Sequence, residues 1–230
     1  MTILENDKLI KHWNPLVSPP EPGSGEAAPL VIRFGALGDM ILTTPLLRAL
    51  AERHQQPCEV IARGNFPAMV FVNLPYVWSV RSIKSNKTPY LFNKQKQTLV
   101  DWLKTRPKGP IYLLQSDIIS HKIFDRAKVK LTCSDLIVER RINEHVIDHM
   151  ARLGGFTDDN GEVHPDYNRG CELRVTKDEV AAVQKQLAKL EYDGHDIVVI
   201  QPGFRKCMNI HRRQTKGKFW PIENWIRLIQ

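Results

Sequence analysis

Short apolar runs alternate with amphipathic segments along most of the chain. Four runs are bounded by turn residues and are too short for helices, so they predict buried strands at 30–32, 58–62, 77–83 and 111–115. Apolar positions spaced by three and four residues predict helices that begin near residue 39 and that cover 95–104, 118–126 and 142–153. Strands that alternate with helices indicate an α/β fold with a doubly wound parallel sheet.

The composition around these elements predicts where the fold begins. Residues 1–29 are expected to be a flexible leader, because 14–29 is crowded with Pro, Gly, Ser and Glu and has no periodic apolar face. Residues 30–192 are expected to form one α/β domain, whose last elements are a strand at 171–175 and a helix at 177–190.

A second domain is predicted to begin after this helix. Residues 197–200 form a new apolar run, and Pro221 occupies the favoured first position of a further helix. One strand and one helix cannot close a core, so residues 196–230 are interpreted as the beginning of an unfinished domain.

Charge and composition narrow the class of partner. The 230 residues are 42% hydrophobic and 25% charged, which is typical of a globular chain. A net charge of +8 favours anionic partners such as nucleotides, sugar phosphates, nucleic acid or anionic lipid. No run approaches the roughly 20 apolar residues of a membrane helix, and no signal peptide is recognisable, so a cytoplasmic location is expected.

The first candidate site is the turn from Gly35 to Asp39, between the first strand and its helix. Gly35 and Gly38 let the backbone turn tightly, and the helix N-terminus offers N–H donors to a ligand. The third glycine of the dinucleotide fingerprint is missing, which argues against a nucleotide-dependent oxidoreductase. Asp39 has two interpretations, a helix cap or a general base at the carboxyl edge of the sheet.

The second candidate site is the loop 201–220, which carries six Lys and Arg residues and no acidic residue. A loop between a strand and a helix start suits an anion, with Thr215 as a hydroxyl donor and Lys218 as a point charge. The alternative is a solvated basic loop. Nucleic acid is not expected as a partner, because no helix-turn-helix or aromatic-studded basic sheet stands out.

Weaker candidates are found elsewhere. Asp117 follows the strand at 111–115 and suits either a substrate contact or a turn. His145 and His149 lie four residues apart on a predicted helix, but no third ligand is evident and no metal is expected. The four cysteines include no close pair, which favours reduced thiols over a disulfide framework or a zinc site.

Two stretches resemble the lipopolysaccharide heptosyltransferases of glycosyltransferase family 9. Residues 31–47, VIRFGALGDMILTTPLL, are similar to the family's opening motif. Residues 198–203 and 218–225, with the K-x-W-P-x-x-x-W pattern, are similar to the start of its donor-binding domain. The resemblance spans roughly 30–230 and implies a GT-B architecture, two Rossmann-like domains with the acceptor on the first and the nucleotide-sugar on the second.

The resemblance also implies a reaction. Family members are inverting and metal-independent, and they transfer heptose from ADP-heptose to a lipopolysaccharide core or lipid A-type acceptor, without a cofactor. Asp39 would then be the general base, and Lys218 with Thr215 would hold the diphosphate. An anionic, lipid-linked acceptor implies peripheral contact with the cytoplasmic face of the inner membrane.

Departures from the family pattern support an alternative. The loop 204–217 is longer and more basic than is usual in the family, and later donor-site residues would lie beyond Gln230. The chain as given is therefore expected to be unable to transfer sugar by itself. The alternative is a truncated, non-catalytic module that binds an anionic glycolipid or a nucleotide.

Overall fold

The computed structural model of the chain describes residues 10–13, 27–64, 66–84, 88–114, 118–134, 138–190, 192, 194 and 227. The chain divides into two units, Met1–Lys177 and Asp178–Gln230. The division lies at the start of the helix predicted at 177–190. The predicted strand at 197–200 lies outside the described residues, and so does the predicted helix after Pro221 except for residue 227.

The first unit is built on a six-stranded sheet. Its strands are β1 (Ile10–Trp13), β2 (Leu30–Arg33), β3 (Cys58–Arg63), β4 (Val77–Ile83), β5 (Ile111–Leu113) and β6 (Cys133–Ser134). The order across the sheet is β1-β4-β3-β2-β5-β6. β4, β3, β2, β5 and β6 are parallel, and β1 pairs antiparallel with β4 at one edge. The chain moves outward in one direction from β2 to β4 and then returns to the other side of β2 with β5.

Helices cover both faces of this sheet. In chain order they are α1 (Leu37–His54), α2 (Phe66–Phe71), α3 (Lys94–Thr105), α4 (Ile118–Ala127) and α5 (Val146–Leu153). A further helix, α6 (Lys177–Lys189), begins at the boundary between the units and is not one of these covering helices. A single 3-10 turn, Tyr90–Phe92, precedes α3. Apolar residues of α1, α2 and α5 form one core with the sheet, and those of α3 and α4 form another.

The central strand, β2, is almost entirely apolar because both of its faces are covered. Val31 packs in the core beneath α1, whereas Leu30 and Ile32 pack in the core beneath α3 and α4, and all three are fully buried. A parallel strand covered on both faces needs apolar side chains in both directions. The predicted α/β class with a doubly wound parallel sheet is confirmed for the described residues.

The structure differs from prediction near the N-terminus. Residues 10–13, within the expected leader, form strand β1, whose residue Ile10 pairs with Ser82 of β4. β4 would otherwise be an edge strand with unpaired backbone groups, which β1 satisfies. Two further residues of the expected leader pack against the fold, since Ala28 is 4% exposed and the Ala27 N–H donates to the Lys108 carbonyl at 3.0 Å.

The strand predicted at 171–175 is wrong. The segment is irregular, and Leu173 and Val175 are 55% and 64% exposed. It lies against α1 instead of a sheet edge, because Glu172 N–H donates to the Thr44 hydroxyl at 2.9 Å. Side-chain contacts, which alternation of apolar residues does not reveal, hold this segment.

The helix predicted at 142–153 begins four residues late. Asn143 has φ 63°, a left-handed conformation that a helix does not continue through. His145 then caps α5, because its Nδ1 accepts the Ile147 N–H at 3.3 Å. Within the described ranges, no helix is both long and apolar enough to span a bilayer.

Candidate functional site

The carboxyl ends of β2 and β5 meet where the winding of the sheet reverses. These two strands are parallel neighbours, and the Leu114 N–H extends the ladder by donating to the Ile32 carbonyl at 3.0 Å. Open α/β sheets bind ligands outside the carboxyl ends of the strands at such a reversal, because the two connections diverge there and leave a crevice. The Gly35–Asp39 turn follows β2 and therefore lies at this position.

Two hydrogen bonds, one to each carboxylate oxygen, hold the Asp39 side chain. The Ala36 N–H donates to Oδ2 at 2.7 Å, and the Arg33 guanidinium donates to Oδ1 at 3.2 Å. Ala36 has no side-chain acceptor, so only the acidic half of a capping box is formed at the start of α1. The side chain is 38% exposed. Each carboxylate oxygen has a lone pair beyond its one donor, so the cap contact leaves Asp39 able to accept a proton from solvent or a ligand.

Arg33 joins three parts of this edge. It is the last residue of β2, and besides Asp39 its guanidinium donates to the Leu114 carbonyl at the end of β5. Only 18% of its side chain is exposed. Sequence reasoning placed Arg33 within the opening motif but missed this role, because the reach of a side chain across to a neighbouring strand has no local signature.

The two glycines of the turn have different surroundings. A Cβ on Gly35 would lie 2.3 Å from the Asp39 Cβ and 2.6 Å from its Oδ2, so the Asp39 side chain lies directly over this residue. A Cβ on Gly38 would meet nothing within 4 Å. Gly35 is thus required for the position of Asp39, whereas Gly38 keeps the surface of the turn open to a ligand.

The Thr43-Thr44-Pro45 stretch holds the backbone that carries Asp39. The Thr43 hydroxyl donates to the Asp39 carbonyl at 2.7 Å. Pro45 has no N–H for the Ile41 carbonyl, and the Thr44 hydroxyl supplies that hydrogen bond at 2.8 Å. A proline inside α1 is therefore tolerated, and the first turns of the helix stay regular beneath the site.

The carboxyl edge also carries cations and exposed apolar groups. Arg33, Arg63 and Lys84 stand at or just after the ends of β2, β3 and β4. The connections that follow these three strands expose large apolar side chains, namely Leu37 (41%), Phe66 (51%), Met69 (64%), Leu91 (76%) and Phe92 (80%). A basic edge with exposed apolar side chains suits a ligand that has both anionic and apolar parts.

A network behind α1 fixes the segment that leads to the second unit. Arg48 donates to the carbonyls of Asn168 and Gly170 at 2.9 and 3.0 Å, and Glu172 accepts from the Tyr76 hydroxyl at 3.1 Å. Burial, and then the charge of Glu172, raise the pKa of Tyr76. Burial opposes ionisation of Glu172, but hydrogen bonds from Arg174 and Tyr76 outweigh it and lower the pKa of Glu172.

The structure describes only some of the predicted site residues. Gly35, Gly38 and Asp39 lie together on one turn at the sheet edge. Asp117, Thr215 and Lys218 lie outside the described residues, and their roles stay predictions.

The two histidines considered as metal ligands, His145 and His149, make contacts that belong to helix α5 and its N-terminal connection. His145 caps α5, and the buried His149 lies with its Nδ1 3.5 Å from a Glu144 carboxylate oxygen. Throughout the described ranges, no group of three or more His, Cys, Asp or Glu side chains is placed to hold a metal ion.

No protein-family model matches the sequence. No curated protein matches it either. Among solved structures, the fold is similar to that of a glycosyl transferase family 9 protein from Veillonella parvula, with a TM-score of 0.57 and 14% sequence identity. The match covers 75% of this chain and 52% of that chain, so the chain spans about half the length of this relative. The chain therefore has an α/β fold of the kind seen in a family 9 glycosyl transferase.

Proposed function

We propose that this chain contains the acceptor-side domain of a glycosyltransferase, and that it serves the transfer of heptose from ADP-heptose to a lipopolysaccharide core or lipid A-type acceptor. The observation that carries the proposal is Asp39, an oriented and 38% exposed carboxylate at the reversal point of the sheet. The similar fold of a glycosyl transferase family 9 protein supports the reaction class.

In this reaction Asp39 accepts the proton of the attacking hydroxyl. The hydroxyl oxygen forms a bond to the anomeric carbon of the sugar as the bond from that carbon to the diphosphate breaks. Attack from the face opposite the leaving group inverts the anomeric configuration, and ADP departs with the electron pair. Arg33 and the Ala36 N–H orient the carboxylate, so that little reorganisation is needed when the proton moves.

The surroundings of Asp39 support an anionic acceptor linked to a lipid. Arg63 and Lys84 supply positive charge at the ends of β3 and β4, and Phe66, Met69 and Phe92 expose apolar surface beside them. Cations attract an anionic bilayer surface by about 1 kcal/mol each at close range. Peripheral contact with the cytoplasmic face of the inner membrane is part of the proposal.

The donor side of the proposal is based on the sequence resemblance. Lys218, with Thr215, is proposed to hold the diphosphate of ADP-heptose and to stabilise the charge that develops on it. This arrangement needs neither a metal nor a cofactor. We expect Lys218→Ala to weaken ADP binding, and an unchanged ADP affinity would remove Lys218 from the donor site.

The second candidate function is a non-catalytic module that binds an anionic glycolipid or a nucleotide. It is favoured by the hydrogen bond between Asp39 and the Ala36 N–H, because this contact gives the carboxylate a complete structural role without any catalysis. In that case Asp39 would stabilise the start of α1 by about 1 kcal/mol and do no more.

The test is acceptor-dependent release of ADP, measured on the protein as its gene encodes it. ADP-heptose is incubated with a heptose-free lipid A-type acceptor, and the acceptor is examined by mass spectrometry for one added heptose. Reactions without acceptor, with UDP-glucose as donor, and with EDTA are the controls. Transfer that is specific for ADP-heptose and insensitive to EDTA supports the proposal. Saturable acceptor or ADP binding without any transfer supports the binding module instead.

A further inference from the structure

The opposite edge of the same sheet carries a cleft of about 1170 Å³. It is formed where α1, α3 and α4 end and where β5 and β6 begin. Its walls are the connection from α3 to β5 and the connection from α4 to β6. The cleft is therefore separate from the Gly35–Asp39 turn, which lies beyond the carboxyl ends of the strands.

The charge of this cleft is of one sign. Four exposed lysines line it: Lys104, Lys108, Lys128 and Lys130. None of its lining residues, all of which the structure describes, is acidic. Lys104 pairs with Asp101 at 3.5 Å on the exposed side of α3, and the other three lysines form no ion pair within the described ranges. Three lysines thus face one volume with their charges unneutralised by neighbouring acids.

A buried cluster beneath the cleft adds to this charge. Arg106, a lining residue, donates from Nε to Glu59 at 2.9 Å, and Arg81 donates to the other Glu59 oxygen at 2.7 Å. Arg106 also donates to the Ala28 carbonyl. Two guanidinium groups against one carboxylate leave a net positive charge there, and the buried contacts of Arg106 make this wall rigid.

Stabilisation of the helix ends does not account for all of these lysines. Carbonyl groups at a helix C-terminus attract cations, which explains Lys104 in the last turn of α3. That attraction falls off beyond the last turn, whereas Lys108 and Lys130 lie in the connections beyond α3 and α4. Lys128 follows α4 directly with φ 54°, a left-handed conformation that favours glycine. A charged side chain thus occupies the position where glycine would be the more stable choice.

We propose that this cleft binds an anion that carries several phosphate groups, held by Lys108, Lys128 and Lys130. Phosphates suit several lysines that line one cleft, because each ammonium can donate to a different oxygen of one extended anion. The anion is either a soluble oligophosphate or the phosphates of lipid headgroups, which share this chemistry. The site is additional to the donor and acceptor sites of the proposed reaction.

The experiment is a calorimetric titration of the full chain with tripolyphosphate at low ionic strength, where screening is weak. We expect saturable binding that Lys128→Gly weakens about fivefold and the Lys108→Gln/Lys130→Gln double variant weakens roughly twentyfold. Lys122→Gln removes an exposed lysine of α4 that does not line the cleft, and it should bind like the parent protein. Because tripolyphosphate could also occupy the proposed donor site, the titrations are repeated in the Lys218→Ala background, where the losses caused by the cleft substitutions should be the same.

The melting temperature of each variant distinguishes a loss of anion binding from a loss of folding. Lys128→Gly replaces a residue at positive φ, so its melting temperature should equal or exceed that of the parent protein while its anion binding falls. Sedimentation of the same variants with phosphatidylglycerol vesicles identifies the source of phosphate: parallel loss of vesicle binding assigns lipid headgroups, and unchanged vesicle behaviour assigns a soluble anion. Absence of tripolyphosphate binding, or equal loss in Lys122→Gln, would overturn the proposal.

Discussion

Both edges of this sheet are basic, but they differ in how an acid is placed among the cations. At the carboxyl edge, Asp39 is fixed by an arginine and a backbone N–H, and the same edge carries further cations and exposed apolar groups. At the amino edge, lysines line a cleft without an acid, above a buried cluster of two arginines and Glu59. The comparison shows that both edges of one parallel sheet are basic, and that the described part of the carboxyl edge adds an oriented, partly exposed carboxylate.

The largest effect on stability is expected at the amino edge. Glu59→Ala leaves Arg81 and Arg106 buried together without their carboxylate, which should lower the free energy of unfolding by about 3–5 kcal/mol. Urea denaturation measures this change. Glu52→Ala, at an exposed position on α1, is the control and should change stability by less than about 0.5 kcal/mol. Equal effects of the two substitutions would show that the buried cluster does not support this edge.

The substitution Gly35→Ala tests whether the position of the Asp39 carboxylate matters at the carboxyl edge. The new Cβ would overlap the Asp39 side chain, so we expect a loss of about 1–3 kcal/mol in stability together with a large fall in sugar transfer. Thermal unfolding and kcat are measured on the same preparation. A variant that retains the parent kcat would mean that Asp39 can leave its observed position without consequence.

Gly38→Ala is the matched partner of that substitution. Space is open around Gly38, and alanine is the better helix former, so stability should stay constant or rise by up to about 1 kcal/mol. If a ligand approaches the turn at this point, kcat/KM for the acceptor falls although the fold is intact. Unchanged kcat/KM would place the acceptor away from Gly38.

The smallest effect is expected in the segment behind α1, where Glu172 has a lowered pKa. A carboxyl group whose pKa is lower in the folded state stabilises the protein above its ordinary pKa, and this stabilisation is lost as the pH falls through the folded-state value. Glu172→Gln should therefore lower stability by up to about 1 kcal/mol at neutral pH and by less in acid. Melting temperatures of both proteins across this range test the prediction, and a constant difference between them would contradict it.

The position of the turn that carries Asp39 could be predicted from sequence for a physical reason, whereas its role stays a prediction. A glycine turn between a buried strand and a helix is a local pattern, and parallel strands bring their carboxyl ends to one edge, so the position of Asp39 followed from both. The contacts of Arg33 with Leu114 and Asp39 could not be predicted, because they join residues of different strands.

The amino edge could not be predicted at all. Lys108, Lys128 and Lys130 belong to two connections that are separate in sequence, and only the pairing of β5 with β6 brings these connections together. The segment 171–175 shows a second kind of error, in which a local pattern predicts an element that is absent. Its alternating apolar residues predict a strand, but Thr44 and Arg48 of α1 hold the segment against that helix. Local patterns therefore identify elements better than they identify what those elements contact.

The central claim is that Asp39 is the base of a glycosyl transfer reaction, and kcat of Asp39→Asn, measured on the protein as its gene encodes it, tests this claim most directly. Asparagine preserves the size of the side chain but accepts no proton, so kcat should fall by about 10²–10⁴-fold while the KM for the nucleotide-sugar changes little. Asp101→Asn, an exposed carboxylate on α3, is the control and should keep the parent kcat. A parent-like kcat in Asp39→Asn, together with a lowered melting temperature, would contradict the claim and leave Asp39 as a helix cap.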